Sequence, residues 1–88
     1  MNDKSDPELR QDSELRDMIV RLLHKQSERK GVTVRPSDFQ PAISVHNIWR
    51  IGIQLRDIGH IKNTPSSMGD GWWMRISTLG ILYAEENL

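Results

Sequence analysis

The sequence predicts an α+β domain with the element order helix, strand, helix, helix, strand, strand, helix: a small three-helix core with a β-hairpin. Three observations predict it. Apolar residues recur at helical spacing in two separate runs, around 15–23 and 48–58. A polar turn rich in Gly, Pro and Ser at 64–71 leads into Trp72-Trp73-Met74-Arg75-Ile76, the returning strand of a hairpin. Ser77-Thr78 then offers cap chemistry to a last helical stretch.

Residues 1–12 are polar and acidic and are expected to form a disordered tail before a domain at 13–88. Within the tail, Asp6-Pro7-Glu8 has the chemistry of a helix start, with Pro7 at the first helical position. From Ser13, Leu15, Met18, Ile19, Leu22 and Leu23 form one amphipathic stripe. Asp12 or Ser13 suits its cap, and Asp17 and Arg21 are spaced for an i,i+4 pair. Arg29 and Lys30 suit its negative end, and Gly31 the position just past it.

Val32-Thr33-Val34 is β-branched and bounded by Gly31 and Pro36, which predicts a short strand. Pro36 to Gln40 carries cap chemistry for a short helix around 37–42, with Pro41 limiting its length. Ser44 caps the next helix, 44–58, in which Ile48, Ile51, Leu55 and Ile58 fall in one inward arc and Gly59 ends the run. His60 to Asn63 is expected to be a strand, paired through the polar turn with 72–76. Alternation places Trp72, Met74 and Ile76 on one face and Trp73 and Arg75 on the other. Trp72 is expected to seal the core between the hairpin and the first helix. In the last helix, Leu79, Leu82 and Tyr83 share a face.

Composition narrows the function classes. The chain has 88 residues, 36% of them apolar, with 12 Lys+Arg against 12 Asp+Glu and no Cys. One small domain fits that length. No run reaches the ~20 apolar residues of a membrane span, and the polar start has no signal-peptide character, so a cytoplasmic location is expected. Without Cys there is no disulfide framework, thiolate metal site or cysteine nucleophile. His24, His46 and His60 are scattered, Ser66-Ser67 lacks a neighbouring base, and Gly69-Asp70-Gly71 lacks the strand-to-helix setting of a phosphate loop. The expectation is a non-enzyme without cofactor or metal. The neutral total hides a distribution: residues 1–12 carry net −2, 13–35 net +3, 36–62 net +1 and 63–88 net −2. A basic middle between acidic ends permits a phosphate-facing surface.

Three segments carry a resemblance. The run Ile48-Trp49-Arg50-Ile51-Gly52-Ile53-Gln54-Leu55-Arg56-Asp57-Ile58-Gly59-His60-Ile61 is similar to a recognition helix with its glycine exit. The polar hairpin tip with Trp72–Ile76 is similar to a wing. Arg75-Ile76-Ser77-Thr78-Leu79-Gly80-Ile81-Leu82-Tyr83-Ala84-Glu85-Glu86 is similar to the R-I-T-x-x-G-x-x-Y-x-E close of small bacterial and phage-type proteins. Over residues 13–86 the chain resembles the winged helix-turn-helix superfamily.

That resemblance implies sequence-specific binding of double-stranded DNA by a transcriptional, phage-type or plasmid-type regulator. Helix 44–58 would enter the major groove and hairpin 60–76 would follow the backbone. The arc opposite the isoleucines holds His46, Arg50, Ile53 and Asp57, with Trp49 and Gln54 flanking it and Asn47 to one side. Arg50 matches guanine O6/N7, and Asn47 or Gln54 matches adenine. His46 suits a phosphate at the helix start. Arg35, Arg56, Lys62 and Arg75 suit backbone phosphates, and Trp73 beside Arg75 suits a nucleic-acid backbone or a subunit. Few cations per copy imply a homodimer, expected through the first and last helices. The alternative is a protein–protein interaction module, an adaptor, replication-complex subunit or inhibitor. The uncharged hairpin tip and the outward Trp49 and Ile53 point to it.

Overall fold

The first apolar stripe folds where its spacing puts it. In the computed structural model, which describes residues 10–26 and 31–88, helix α1 (Asp12–Gln26) buries Leu15, Ile19, Val20 and Leu23. Its start lies one residue earlier than expected, inside the segment assigned to the tail. The Gln11 carbonyl accepts from the Leu15 N–H (3.2 Å), and the Glu14 carboxylate accepts from the Gln11 N–H (3.1 Å). Gln11 with Glu14, rather than Asp12 or Ser13, therefore closes the first turn. Asp17, expected to pair with Arg21, accepts a hydrogen bond from the Tyr83 hydroxyl at 2.7 Å. The expected turn at Asp6-Pro7-Glu8 and the helix-end roles of Arg29 and Lys30 lie outside the described residues.

Strand β1 (Val32–Val34) forms as expected, but the short helix after it does not. One 3-10 turn, Pro36–Asp38, is closed by the Arg35 N–H donating to the Asp38 carboxylate (2.8 Å). The chain then runs extended through Phe39, which is buried, and through a cis Gln40–Pro41 bond. Burial of Phe39 and Ile43 takes the place of helical hydrogen bonding.

Helix α2 (Val45–Asp57) starts at Ser44, whose hydroxyl accepts from the Asn47 N–H (3.1 Å). Ile48, Ile51 and Leu55 are fully buried. Gly59, at φ 85°, closes the far end. Its N–H donates to the Arg56 carbonyl (3.0 Å) and the His60 N–H to the Leu55 carbonyl (2.9 Å), the paired bonds of a Schellman motif. The turn costs the inward arc one member: Ile58 leaves the helical path and is 51% exposed.

The sheet has three antiparallel strands in the order β1-β3-β2. Strand β3 (Gly71–Met74) is central, with Thr33 opposite Trp73 on one side and Ser67 opposite Trp72 on the other. Strand β2 is Ser66–Met68, not His60–Asn63 as expected. Residues 60–63 contribute an isolated bridge, Ile61 with Ile76. The cause is local. Pro65 has no N–H for a ladder and is buried. Asn63 turns its side chain into the gap, donating Nδ2–H to the Trp73 carbonyl (3.2 Å) and accepting the Arg75 N–H on Oδ1 (2.9 Å). One amide side chain thus stands in for a missing peptide group.

Helix α3 (Thr78–Asn87) is capped by Ser77, whose hydroxyl accepts from the Gly80 N–H at 3.0 Å. The face it buries is the small one, Gly80 and Ala84. Ile81 and Tyr83 pack beside it at half burial, while Leu79 and Leu82 stay exposed. Gly80 is needed because the helix lies directly on the His60 carbonyl. A Cβ there would stand 2.2 Å from that oxygen. The described residues thus form a small α+β domain with three α-helices around one core. None of those helices is long and apolar enough to cross a membrane.

Two substitutions test this account by urea denaturation. In an open helix Gly→Ala adds about 1 kcal/mol, but Gly80→Ala is expected to lower stability by about 1–3 kcal/mol, since backbone cannot yield as a side chain does. Asn63→Ala is expected to remove about 1–2 kcal/mol by orphaning the Arg75 N–H and the Trp73 carbonyl.

Candidate functional site

With Ile48, Ile51 and Leu55 inward, α2 turns two chemically different flanks outward. The first faces the start of α1. There Arg50 makes a bidentate pair with Asp12, Nη1 to Oδ2 at 2.8 Å and Nη2 to Oδ1 at 3.1 Å. The Gln54 amide donates to the same carboxylate (2.9 Å), and Arg16 donates to Gln54 Oε1 (2.5 Å). Arg50 Nε also donates to Asn47 Oδ1 at 3.0 Å. Asn47, Arg50 and Gln54, expected on the open exterior, are each half-buried in this clasp. The reason is tertiary: the first turn of α1 crosses this flank, and Asp12 matches the guanidinium fork.

The second flank is aromatic. His46 stacks on Trp49 with ring centroids 5.9 Å apart and an interplanar angle of 29°. Trp49 in turn meets Trp72 of β3 at 6.4 Å. The Trp72 indole N–H donates to the Val45 carbonyl at 2.9 Å, tying the hairpin to the start of α2. Trp72 therefore sits over α2, not between the hairpin and the first helix as expected. Trp49 remains 36% exposed, with Val45 at 43%. Ile53, expected to stand outward with Trp49, is only half-exposed.

The other expected phosphate contacts are dispersed. Arg35 is held by Asp70 at the hairpin tip (2.8 Å), and Arg56 by its neighbour Asp57 (3.0 Å) and by Thr64 Oγ1 (3.2 Å). Lys62 and Arg75 are exposed on adjacent segments, joined by the Lys62 N–H to the Arg75 carbonyl (2.8 Å). Trp73 does not present an open face. Its indole covers Gly31 so closely that a Cβ there would fall 2.0 Å from Cε2. The Arg75 guanidinium lies 6.0 Å from the Trp73 ring centre.

Sequence reasoning missed Arg16 and Val45, and it read Asp12 only as a tail residue or a helix cap. The usable signal was the i,i+4 spacing of Asp12 and Arg16 beside a helix rich in Arg, Asn and Gln. Among the described residues, no three His, Cys, Asp or Glu side chains group as metal ligands. No family model, curated protein or solved structure matches the chain.

The clasp has an electrostatic signature. Hydrogen bonds from Arg50 and then Gln54, helped by the charges of Arg50 and Arg16, pull the Asp12 carboxyl from 3.8 down to about 2. A carboxyl depressed on folding stabilises the fold above its unfolded value and loses that contribution as pH falls through its folded one. The pair is more than a third exposed, so solvent screening holds its worth to about 1 kcal/mol or less. Asp12→Asn is therefore expected to destabilise the chain by about 0.5–1 kcal/mol at neutral pH. The gap should close between pH 3.8 and about 2. Paired urea titrations across that window check it, and a constant gap would show that the carboxylate charge is not the cause.

Proposed function

We propose that the chain is a winged-helix-type module that binds a protein partner through the face built by His46, Trp49 and Trp72. One observation carries this reading. The flank of α2 that would read bases is closed on Asp12, while the flank that stays open is aromatic and bordered by exposed Val45. Large amphipathic rings in a fixed stack lose little conformational freedom on docking, which is why they dominate the energetic centres of interfaces. The hairpin tip supports the same partner class. Its Asp70 neutralises Arg35, so the tip itself offers a duplex no excess positive charge.

Sequence-specific binding of double-stranded DNA is the second reading, favoured by the order of elements and by exposed Arg56, Lys62 and Arg75. On that reading Arg50 would exchange Asp12 for a base or phosphate, and the N-terminal end of α2 with His46 would meet the backbone.

The two readings separate in one set of measurements. For a protein partner, affinity capture from source cells is expected to return a binder that survives Arg56→Ala but is lost with Trp49→Ala, a change costing about 2 kcal/mol or more at an interface centre. Labelled duplex DNA should then show no saturable, salt-sensitive binding. Saturable DNA binding whose affinity falls steeply with salt, and that survives Trp49→Ala, would overturn the proposal in favour of DNA.

A further inference from the structure

Helix α3 is apolar around most of its girth. Leu79, Ile81, Leu82, Tyr83 and Ala84 leave polar side chains only at the ends. Such a helix is normally covered on both sides. Here one side is covered, through Gly80 and Ala84. The other carries Leu79, 59% exposed, and Leu82, 46% exposed. Leu79 reaches beyond α3: its Cδ1 lies 3.4 Å from the place a Cβ would take on Gly59. The charges of α3 are also inverted. Glu85 and Glu86 sit in its last turn, which holds no basic residue of its own, at the negative pole of the helix. Among the described residues, Glu85 lies 3.8 Å from the exposed His24 and shares a shallow recess with Arg21 and Lys25, without an ion pair to either.

We infer that the outer face of α3 binds a second copy of the chain, α3 packed antiparallel on α3. At 100° per residue Leu82 stands opposite the buried Gly80 and Ala84, with Thr78 and Glu85 on one shoulder and Leu79 and Glu86 on the other. A two-fold axis beside Leu82 brings the two Leu82 side chains together and each Leu79 against the far end of the other helix. It also corrects the charge inversion. The acidic end of each α3 comes over the positive N-terminal pole of its partner, on the shoulder where Lys62 lines a shallow recess with Ile76, Thr78 and Ile81. Glu85 then faces the partner's Lys62. Parallel packing would place the acidic ends side by side. Two single-helix faces bury on the order of 1,000 Å² in total, the lower limit for specific association, which sets dissociation in the micromolar range. The pairing takes Lys62 away from any phosphate-binding set, and it leaves the aromatic face of α2 open.

Sedimentation equilibrium on the full chain, from about 1 μM to about 1 mM, tests this without any other ligand. The expected result is a monomer–dimer equilibrium within that range. Leu82→Glu, at an exposed site that should leave the circular dichroism spectrum unchanged, is expected to weaken the dimer by about 100-fold or more. Lys62→Glu and Glu85→Lys are each expected to weaken it by about 10-fold, and the double variant to recover it. Trp49→Ala should leave it intact. A chain that stays monomeric throughout, a dimer indifferent to Leu82→Glu, a double variant without recovery, or a dimer lost with Trp49→Ala would each overturn the inference. None of these outcomes depends on what α2 binds.

Discussion

The seating of α2 governs the rest of the molecule. Ile48, Ile51 and Leu55 are fully buried beneath α1 and β3, and Gly52 lets the sheet close on the helix. A Cβ at Gly52 would stand 2.7 Å from both Met74 and Pro65. Once those three side chains are inward, every other α2 residue has its direction set by the 100° step. Asn47, Arg50 and Gln54 must meet the start of α1, and His46 and Trp49 must meet the hairpin. The Schellman turn at Gly59 then sends the chain back under α3, whose closest approach is the contact of Gly80 with the His60 carbonyl.

That geometry matches three cations of the chain's basic middle with carboxylates. Of the cations in the middle of the chain, Arg50 is paired with Asp12, Arg35 with Asp70 and Arg56 with Asp57. The exposed pairs contribute little to stability, because water screens them. Their larger effect is on recognition, since a guanidinium already facing a carboxylate offers an approaching phosphate much less attraction. What stands out against this background is the aromatic stack. The hydrogen bond from Trp72 to the Val45 carbonyl makes helix and hairpin one surface, so the rings are held in place before any partner arrives.

Much of the architecture was legible in the residues. Periodicity located α1 and α2, Ser44 and Ser77 marked two helix starts, and Gly59 marked a helix end. The β-branched run at 32–34 and the turn at Gly69 gave the sheet's first strand and its hairpin. The candidate site was less legible. His46 and Trp49 were found, but as separate outward residues, since nothing local says that Trp72 will lie across them. The expected strand at 60–63 failed because Asn63 prefers to complete the ladder with its side chain, a choice that needs Arg75 and Trp73 at hand. The short helix at 37–42 failed because Phe39 is more stable in the core than on a helical turn.

By itself the sequence determined the three long helices and the first strand, where α2 stops, and which face of α1 and of α2 is apolar. Those properties follow from interactions within a few residues, or from a spacing that repeats along the chain. Only the tertiary structure decided which polar flank of α2 is closed and which is open, which face of α3 is buried, and where β2 begins. Each of those outcomes depends on a pair distant in sequence: Asp12 with Arg50, Gly80 with His60, Asn63 with Arg75. Such pairs are set by how the elements cross, and that crossing is fixed by close packing rather than by local pattern.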